Sequence, residues 1–384
     1  LDLLVVSGGN EFVNGEPLKP RLYINNAGQF RYVKEEFTDI TINASVVKVF
    51  DFDKDGDKDV VIGSNALPRE FGANARNFIF TNDGRGRFTD VTESVGFAFR
   101  DAGLITALEI ADLDGNGYDD IIAVGTWMPI TVFMNNGSTV SSRTIPNSEG
   151  WWNCVAADDF DKDGDIDLIA GNWGNNSRLK ASDNQPITLY RDDFDGNGNT
   201  ETLITYYYRG QQTFLSSMDG LAKQMPFIRK KYLSYHDFAN ASVDEVIGAD
   251  KLSKAMQKQT KTLLTTYFRN EGDGNFKPIE LPPAAQQSTV NAIAIDDFNN
   301  DGYHDMLLVG NNYEISTQLG RLDASHGVLL LNDRSGFFVE DKEQSFNVAG
   351  AARNVKKIKI KGGDYYIVAM NNDKPIFLKK EEKQ

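Results

Sequence analysis

The chain has 384 residues, 40% apolar and 11% aromatic, with 34 glycines; this excludes a disordered chain and fits a folded, turn-rich protein. Its formal charge of −15 argues against nucleic acid as a partner, because phosphate binding needs a basic face. A single cysteine, Cys154, excludes an internal disulfide framework, and no apolar run reaches the roughly 18 residues of a membrane-spanning helix.

The chain begins Leu1-Asp2-Leu3-Leu4-Val5-Val6-Ser7-Gly8-Gly9. Asp2 stands where the last carboxylate of a recurring motif belongs, so the opening reads as a motif cut through and a domain truncated at its start. The motif first appears whole at 51–59, after a predicted strand at 46–50. It reads Asp-Phe-Asp-Lys-Asp-Gly-Asp-Lys-Asp and runs into the apolar Val60-Val61-Ile62. Further copies lie at 112–120, 159–167, 193–201 and 297–305.

Each copy offers side-chain oxygens at positions 1, 3, 5 and 9 and a backbone carbonyl at position 7. Glycine at position 6 permits the positive φ that folds the loop back. Hard oxygen donors without His or Cys favour Ca²⁺, which takes roughly 6–8 oxygens. The predicted ligand sets are Asp51, Asp53, Asp55, Asp57 (carbonyl), Asp59; Asp112, Asp114, Asn116, Tyr118 (carbonyl), Asp120; and Asp159, Asp161, Asp163, Asp165 (carbonyl), Asp167. The last two are Asp193, Asp195, Asn197, Asn199 (carbonyl), Glu201 and Asp297, Asn299, Asp301, Tyr303 (carbonyl), Asp305. An EF-hand needs a Glu at position 12 and flanking helices. Here that position holds Ile62, Ala123, Ala170, Ile204 and Leu308, so the loop joins strand to strand.

In the second unit the loop separates strands at 46–50 and 60–63. A third strand at 77–82 and a fourth at 86–91 flank an Asn82-Asp83-Gly84 turn, a hairpin signal. That signal recurs at 25–30, at 270–276 (which contains Asp273) and at 332–337. Four short antiparallel strands per repeat predict an all-β fold, a β-propeller of four-stranded blades. Six units are counted, at 1–40, 45–100, 104–146, 151–282, 288–345 and 350–384, within a single domain spanning 1–384. The last keeps only Gly362-Gly363-Asp364 in place of a loop.

A helical insertion is predicted at 210–262 inside the fourth unit. Leu221, Met225, Ile228, Tyr232 and Tyr235 fall on one helical face. Ser242 with Glu245 reads as a capping box opening a second helix through Leu252 and Met256. Lys223, Arg229, Lys230, Lys231, Lys251, Lys254, Lys258 and Lys261 concentrate here, either as a solvated face or as a docking surface for an acidic partner.

The loops, with their trailing Gly63, Gly171 and Gly310, resemble the FG-GAP/VCBS repeats that build the integrin α-subunit propeller. The segments 3–12, 224–235 and 320–327 resemble large repeat proteins of Bacteroidetes related to the cartilage-acidic-protein group. The resemblance implies a seven-bladed propeller whose first blade precedes Leu1. It also implies export to the outer-membrane surface as part of a longer protein, and no chemistry. Asn116, Asn197 and Asn299 depart from the all-Asp pattern and should weaken their sites.

Catalytic signals are sparse. His236, His304 and His326 stand near no Gly-x-Ser-x-Gly elbow, and Cys154 enters an apolar strand. Trp127, Trp151, Trp152 and Trp173 lie near strand ends, beside Asn-rich loops at 171–176 and 310–313. They either stack on a sugar or peptide or fill gaps between blades. The expected function is a non-catalytic, Ca²⁺-binding recognition or scaffold module of a surface-exposed bacterial protein, with a protein partner in an outer-membrane assembly. The alternative is a glycan-binding or glycan-processing component of an outer-membrane uptake system.

Overall fold

Runs of β-branched and aromatic residues, punctuated by Gly, Asn and Asp turns, fold among the described residues into seven antiparallel sheets. The computed structural model describes residues 1–37, 39–272, 274–316, 319–344, 346–361 and 363–380. Asp273 of a predicted hairpin and Gly362 of the last unit lie outside them.

The first sheet holds Leu3–Val5, Arg21–Asn26 and Gln29–Val33. The second has the predicted four strands, Ala44–Phe50, Asp59–Ser64, Phe78–Asn82 and Phe88–Asp90, in sequence order. The third repeats the plan with Leu104–Ala111, Asp120–Met128, Thr131–Asn135 and Val140–Thr144, and adds the short Gly150–Trp151. The fourth joins Cys154–Asp158 and Asp167–Gly171 to Thr266–Asn270 and Phe276–Glu280. The fifth holds Val290–Asp296, Asp305–Gly310, Val328–Asn332 and Phe338–Glu340. Ala352–Ile360, Gly363–Met370 and Ile376–Lys379 make the sixth.

These six sheets pack face to face in chain order. Leu22 of the first meets Val60 and Phe80 of the second. Phe50 and Ile79 meet Ile105 and Phe133 of the third. Ile122 and Val132 meet Val155 and Phe268 of the fourth. Ile169 and Tyr267 meet Met306 and Leu330 of the fifth, whose Leu307 and Val309 meet Val355 and Val368 of the sixth. A sheet sandwiched on both faces needs an unbroken apolar middle strand, so Asp59–Ser64 and Asp305–Gly310 are buried at every residue. Outer strands such as Val140–Thr144 alternate less and face solvent. Among the described residues, no strand pairing joins the first sheet to the sixth.

The strand that opens each unit contacts its counterpart in the next: Ala44–Phe50 with Leu104–Ala111, then Cys154–Asp158, Val290–Asp296 and Ala352–Ile360. Glycine permits this closeness: a Cβ on Gly171 would lie 2.8 Å from the Val290 carbonyl oxygen of the next unit. Within the fifth unit, a Cβ on Gly310 would lie 1.6 Å from the Thr289 carbonyl oxygen. Gly310→Ala is therefore expected to cost about 3 kcal/mol or more, read as a lower urea midpoint.

The fourth sheet is interrupted between Gly171 and Thr266. Residues 210–262 contain helices, as predicted from periodicity, but also two strands, and the intervening chain builds the seventh sheet. Its strands are Ile187–Asp192, Glu201–Tyr208, Gln211–Phe214 and Met256–Thr260. Five short helices replace the two expected: Met218–Gln224, Phe227–Lys231, Tyr235–Asn240, Val243–Ile247 and Ala249–Lys254. Pro226 and the Ser234 cap break the first periodic run, and Gly248, at φ 108°, breaks the second. Met256 thus lies in a strand, 38% exposed, instead of ending a helix. The capping box is present: the Ser242 hydroxyl accepts the Glu245 N–H at 3.1 Å and the Glu245 carboxylate accepts the Ser242 N–H at 2.8 Å.

Candidate metal centres

Four of the five acidic loops sit at the same place, between the first and second strands of the second, third, fourth and fifth sheets. The loop at 193–201 instead joins two strands of the seventh. Positions 4 and 6 both take positive φ in every loop, as in Lys54 at 61° and Gly56 at 95°. Sequence reasoning found only position 6. Gly115 and Gly196, at position 4 of two copies, were the signal for the other.

The side chains then form a ladder. The position-3 oxygen accepts the position-5 N–H, as Asp53 does from Asp55 at 3.2 Å. The position-5 oxygen accepts the N–H of position 7, as Asp55 does from Asp57 at 2.9 Å and Asn116 from Tyr118 at 2.7 Å. Asp163 and Asp165, Asn197 and Asn199, and Asp301 and Tyr303 repeat that bond. One side-chain oxygen at each of these positions is thereby oriented.

Ligand atoms of Asp51, Asp53 and Asp59 lie within 4.8 Å of one another, as do those of Asp112, Asp114 and Asp120. The same holds for Asp159, Asp161 and Asp163, and for Asp193, Asp195 and Glu201. Oδ1 of Asp51, Asp112 and Asp159 is buried with no hydrogen-bond partner. A buried, unpaired carboxylate oxygen is costly, and a cation at the centre of three such groups removes the cost. The all-oxygen donor set is compatible with calcium.

Position 9 has a second job. Asp59 accepts the Phe52 N–H at 2.7 Å and the Asn82 N–H at 2.8 Å, tying the loop to the third strand. Asp120 does this with Leu113 and Asn135, Asp167 with Phe160 and Asn270, and Asp305 with Phe298 and Asn332. Glu201 holds only the Phe194 N–H in this way, at 2.9 Å. Burial pushes the Asp120 and Asp167 carboxyls up to about 6 against these bonds, and it raises Asp59, Asp305 and Glu201 as well.

Asn82, Asn270 and Asn332 are read in the sequence only as turn formers, and Asn135 carries no such reading. Two of the four, Asn135 and Asn332, also send their side chains across to the preceding sheet. Asn135 Nδ2 donates to the Phe52 carbonyl, in the loop of the preceding sheet, at 2.8 Å. Asn332 Nδ2 donates to the Phe160 carbonyl at 2.8 Å in the same manner.

The loop at 297–305 differs. Both Asp297 oxygens are taken, by the N–H groups of Asp301 at 3.0 Å and Gly302 at 2.9 Å. Asp301 pairs with Arg334 at 3.0 Å, and Lys380 and Lys162 reach the Asp297 and Gly302 carbonyls. Asn299 at position 3 accepts the Asp301 N–H at 2.9 Å. This loop forms no three-carboxylate group among the described residues.

Trp127 is buried, and Trp151 and Trp173 are partly buried. Trp152 is fully buried between the third and fourth sheets. Trp127, Trp151 and Trp173 pack edge to face at 5.1 and 5.3 Å. They lie against Leu179, Ile187, Leu189 and Leu263 of the segment between Gly171 and Thr266. The segment that carries the seventh sheet thus packs against this trio.

Much of the basic segment is likewise engaged internally. Arg229 pairs with Asp219, Lys254 with Asp250 and Lys261 with Glu149. Lys231, Lys251 and Lys258 bond Glu245, Phe194 and Asn74. This disfavours a dedicated basic docking face.

His304 pairs with Asp158 at 2.5 Å, His326 bonds Asn347 at 2.9 Å and His236 lies beside Asn240. The Cys154 thiol contacts the Val290 carbonyl at 3.7 Å, and burial pushes it up to about 12, so it stays protonated and unreactive.

Residues 112–170, from the third-sheet loop into the fourth sheet, match the FG-GAP-like repeat family. No curated protein matches the chain. Among solved structures, a lectin of Agrocybe aegerita that recognises non-reducing terminal N-acetylglucosamine is 15% identical, with 88% of this chain and 78% of that chain covered and a TM-score of 0.31. The V. cholerae biofilm matrix protein Bap1 is 9% identical, with 92% and 72% covered and a TM-score of 0.34. No helix among the described residues is long and apolar enough to cross a membrane.

Proposed function

We propose that the FG-GAP-like repeat at 112–170 is one of a series, and that the chain is a calcium-stapled β-propeller. The six sheets that pack in chain order are its blades. It serves as a non-catalytic recognition or scaffold module of a surface-exposed bacterial protein of the kind found in Bacteroidetes. Its partner is a protein, in an outer-membrane assembly. One observation carries the metal reading: the same loop recurs at the same strand junction, and three copies aim a buried, unpartnered oxygen at the loop centre.

In this reading positions 1, 3, 5 and 9 and the position-7 carbonyl hold one Ca²⁺ per loop. The loop at 193–201 steadies the seventh sheet and its helices, since Lys251 bonds the Phe194 carbonyl there. The loop at 297–305 binds most weakly, because Arg334 already meets Asp301. Elemental analysis tests this: about four Ca²⁺ per chain are expected after dialysis against micromolar Ca²⁺. Protein that retains none, and takes up none at millimolar Ca²⁺, ends the reading.

A glycan ligand is the second reading. It is favoured by a cavity lined by three asparagines and the exposed Phe71, whose one carboxylate, Glu70, is paired with Arg191.

A further inference from the structure

A cavity of about 460 Å³ opens where the loop after Leu3–Val5, the entry to Ala44–Phe50 and the segment after Asp59–Ser64 converge. Asn10, Asn43, Asn65 and Thr126 line it together with Leu104 and Phe71. No Lys or Arg lines it among the described residues. Glu70, the one carboxylate on its wall, is paired with Arg191. A site without a free cation does not suit a phosphate or carboxylate ligand.

Asn43 is the informative residue. It is only 6% exposed, and its Oδ1 accepts the Gly9 N–H at 2.6 Å. Its Nδ2 donates to no side chain or carbonyl among the described residues and is not sealed from the cavity, so it is free to donate to a ligand or water there.

The walls are fixed in advance. A Cβ on Gly8 would lie 2.5 Å from the Ala44 carbonyl oxygen, so this loop is pressed against the strand entry. The Phe71 carbonyl accepts the Thr202 hydroxyl at 3.0 Å, and a Cβ on Gly72 would lie 2.9 Å from Leu189, so the Phe71 segment is clamped to the seventh sheet. Phe71 is nonetheless 61% exposed. An aromatic face held open beside neutral amide groups suits a molecule with one apolar face and a rim of hydroxyls.

We infer that this cavity binds a neutral saccharide unit, stacked on Phe71 and hydrogen-bonded by the Asn43 amide. This deepens the glycan reading by giving it a site, and it does not depend on the metal.

The test is calorimetric titration of the chain, in calcium, with glucose, galactose, mannose, maltose, lactose and cellobiose. At least one should bind. Phe71→Ala removes an exposed ring and should leave the melting temperature unchanged. Asn43→Asp keeps the acceptor for Gly9 and replaces the free donor by an oxygen. Each should weaken binding by about tenfold or more. Failure of all six sugars, or wild-type binding by either variant, overturns the site. Because each sample is also melted with and without calcium, loss of the sugar site is told apart from loss of the metal reading.

Discussion

Removing calcium with a chelator is expected to lower the melting temperature by about 10 °C. A ligand that binds only the native state stabilises it by roughly 2.7 kcal/mol at a hundredfold excess over its Kd. Four carboxylate groups of this kind repeat along the chain, and a domain of this size loses on the order of 1 °C per kcal/mol. The effect should divide by loop. Asp51→Asn, Asp112→Asn and Asp159→Asn each remove charge from an oxygen with no other partner, so each should shrink the calcium-dependent shift. Asp297→Asn should change it least, because this loop forms no three-carboxylate group among the described residues and Arg334 already pairs with Asp301. Identical melting with and without chelator, in protein shown to be calcium-loaded beforehand, would contradict the staple.

The pH response gives the same idea a sign. Burial raises Asp120 and Asp167 to about 6, above their ordinary 3.8. The metal-free folded state therefore binds more protons than the unfolded state between these values. Its stability is fully present below about 3.8 and is lost as pH rises through about 6. Calcium reverses the trend, because protons compete with it for the same carboxylates. Thermal melts at pH 4 and pH 7 should thus rank in opposite orders with and without calcium.

The loops were legible because their chemistry is local: five oxygen donors and a glycine turn fit within nine residues. The four-strand units were legible for the same reason, since each hairpin carries its own turn signal. What the sequence concealed acts between elements. Met256 carries a helical period relative to Leu252, yet pairing with Arg191 in the seventh sheet places it in a strand. Trp127, Trp151 and Trp173 stand at strand ends like ligand-stacking residues, and only the fold shows the segment that carries the seventh sheet packing against them. Phe71 falls in a connection with no motif, and its value comes from the loop at 8–10, far away in sequence.

The asparagines that end the third strands are the strongest such case, and they predict the second large effect. Asn135 donates to Phe52 of the preceding sheet at 2.8 Å and to Asp119 of its own at 3.1 Å, and its N–H is held by Asp120 at 2.7 Å. It is 1% exposed. Asn135→Ala leaves two carbonyls without their donor and opens a small void, so a loss of about 3–4 kcal/mol is expected. Asn332→Ala should behave alike, since Asn332 bonds Phe160 and His304 in the same geometry. Asn135→Asp should be worse than alanine, because it sets a carboxylate against two carbonyl oxygens and beside Asp120. Urea unfolding in saturating calcium measures all three. Asn82 contrasts with them: its side chain accepts the Gly86 N–H at 3.2 Å within its own hairpin, so Asn82→Ala should cost only about 1 kcal/mol. Equal losses at positions 82, 135 and 332 would mean that the cross-sheet bonds contribute nothing beyond the turn. The predicted inequality instead assigns them a share of the register between neighbouring sheets, beside loop-to-loop bonds such as Lys162 to the Gly302 carbonyl.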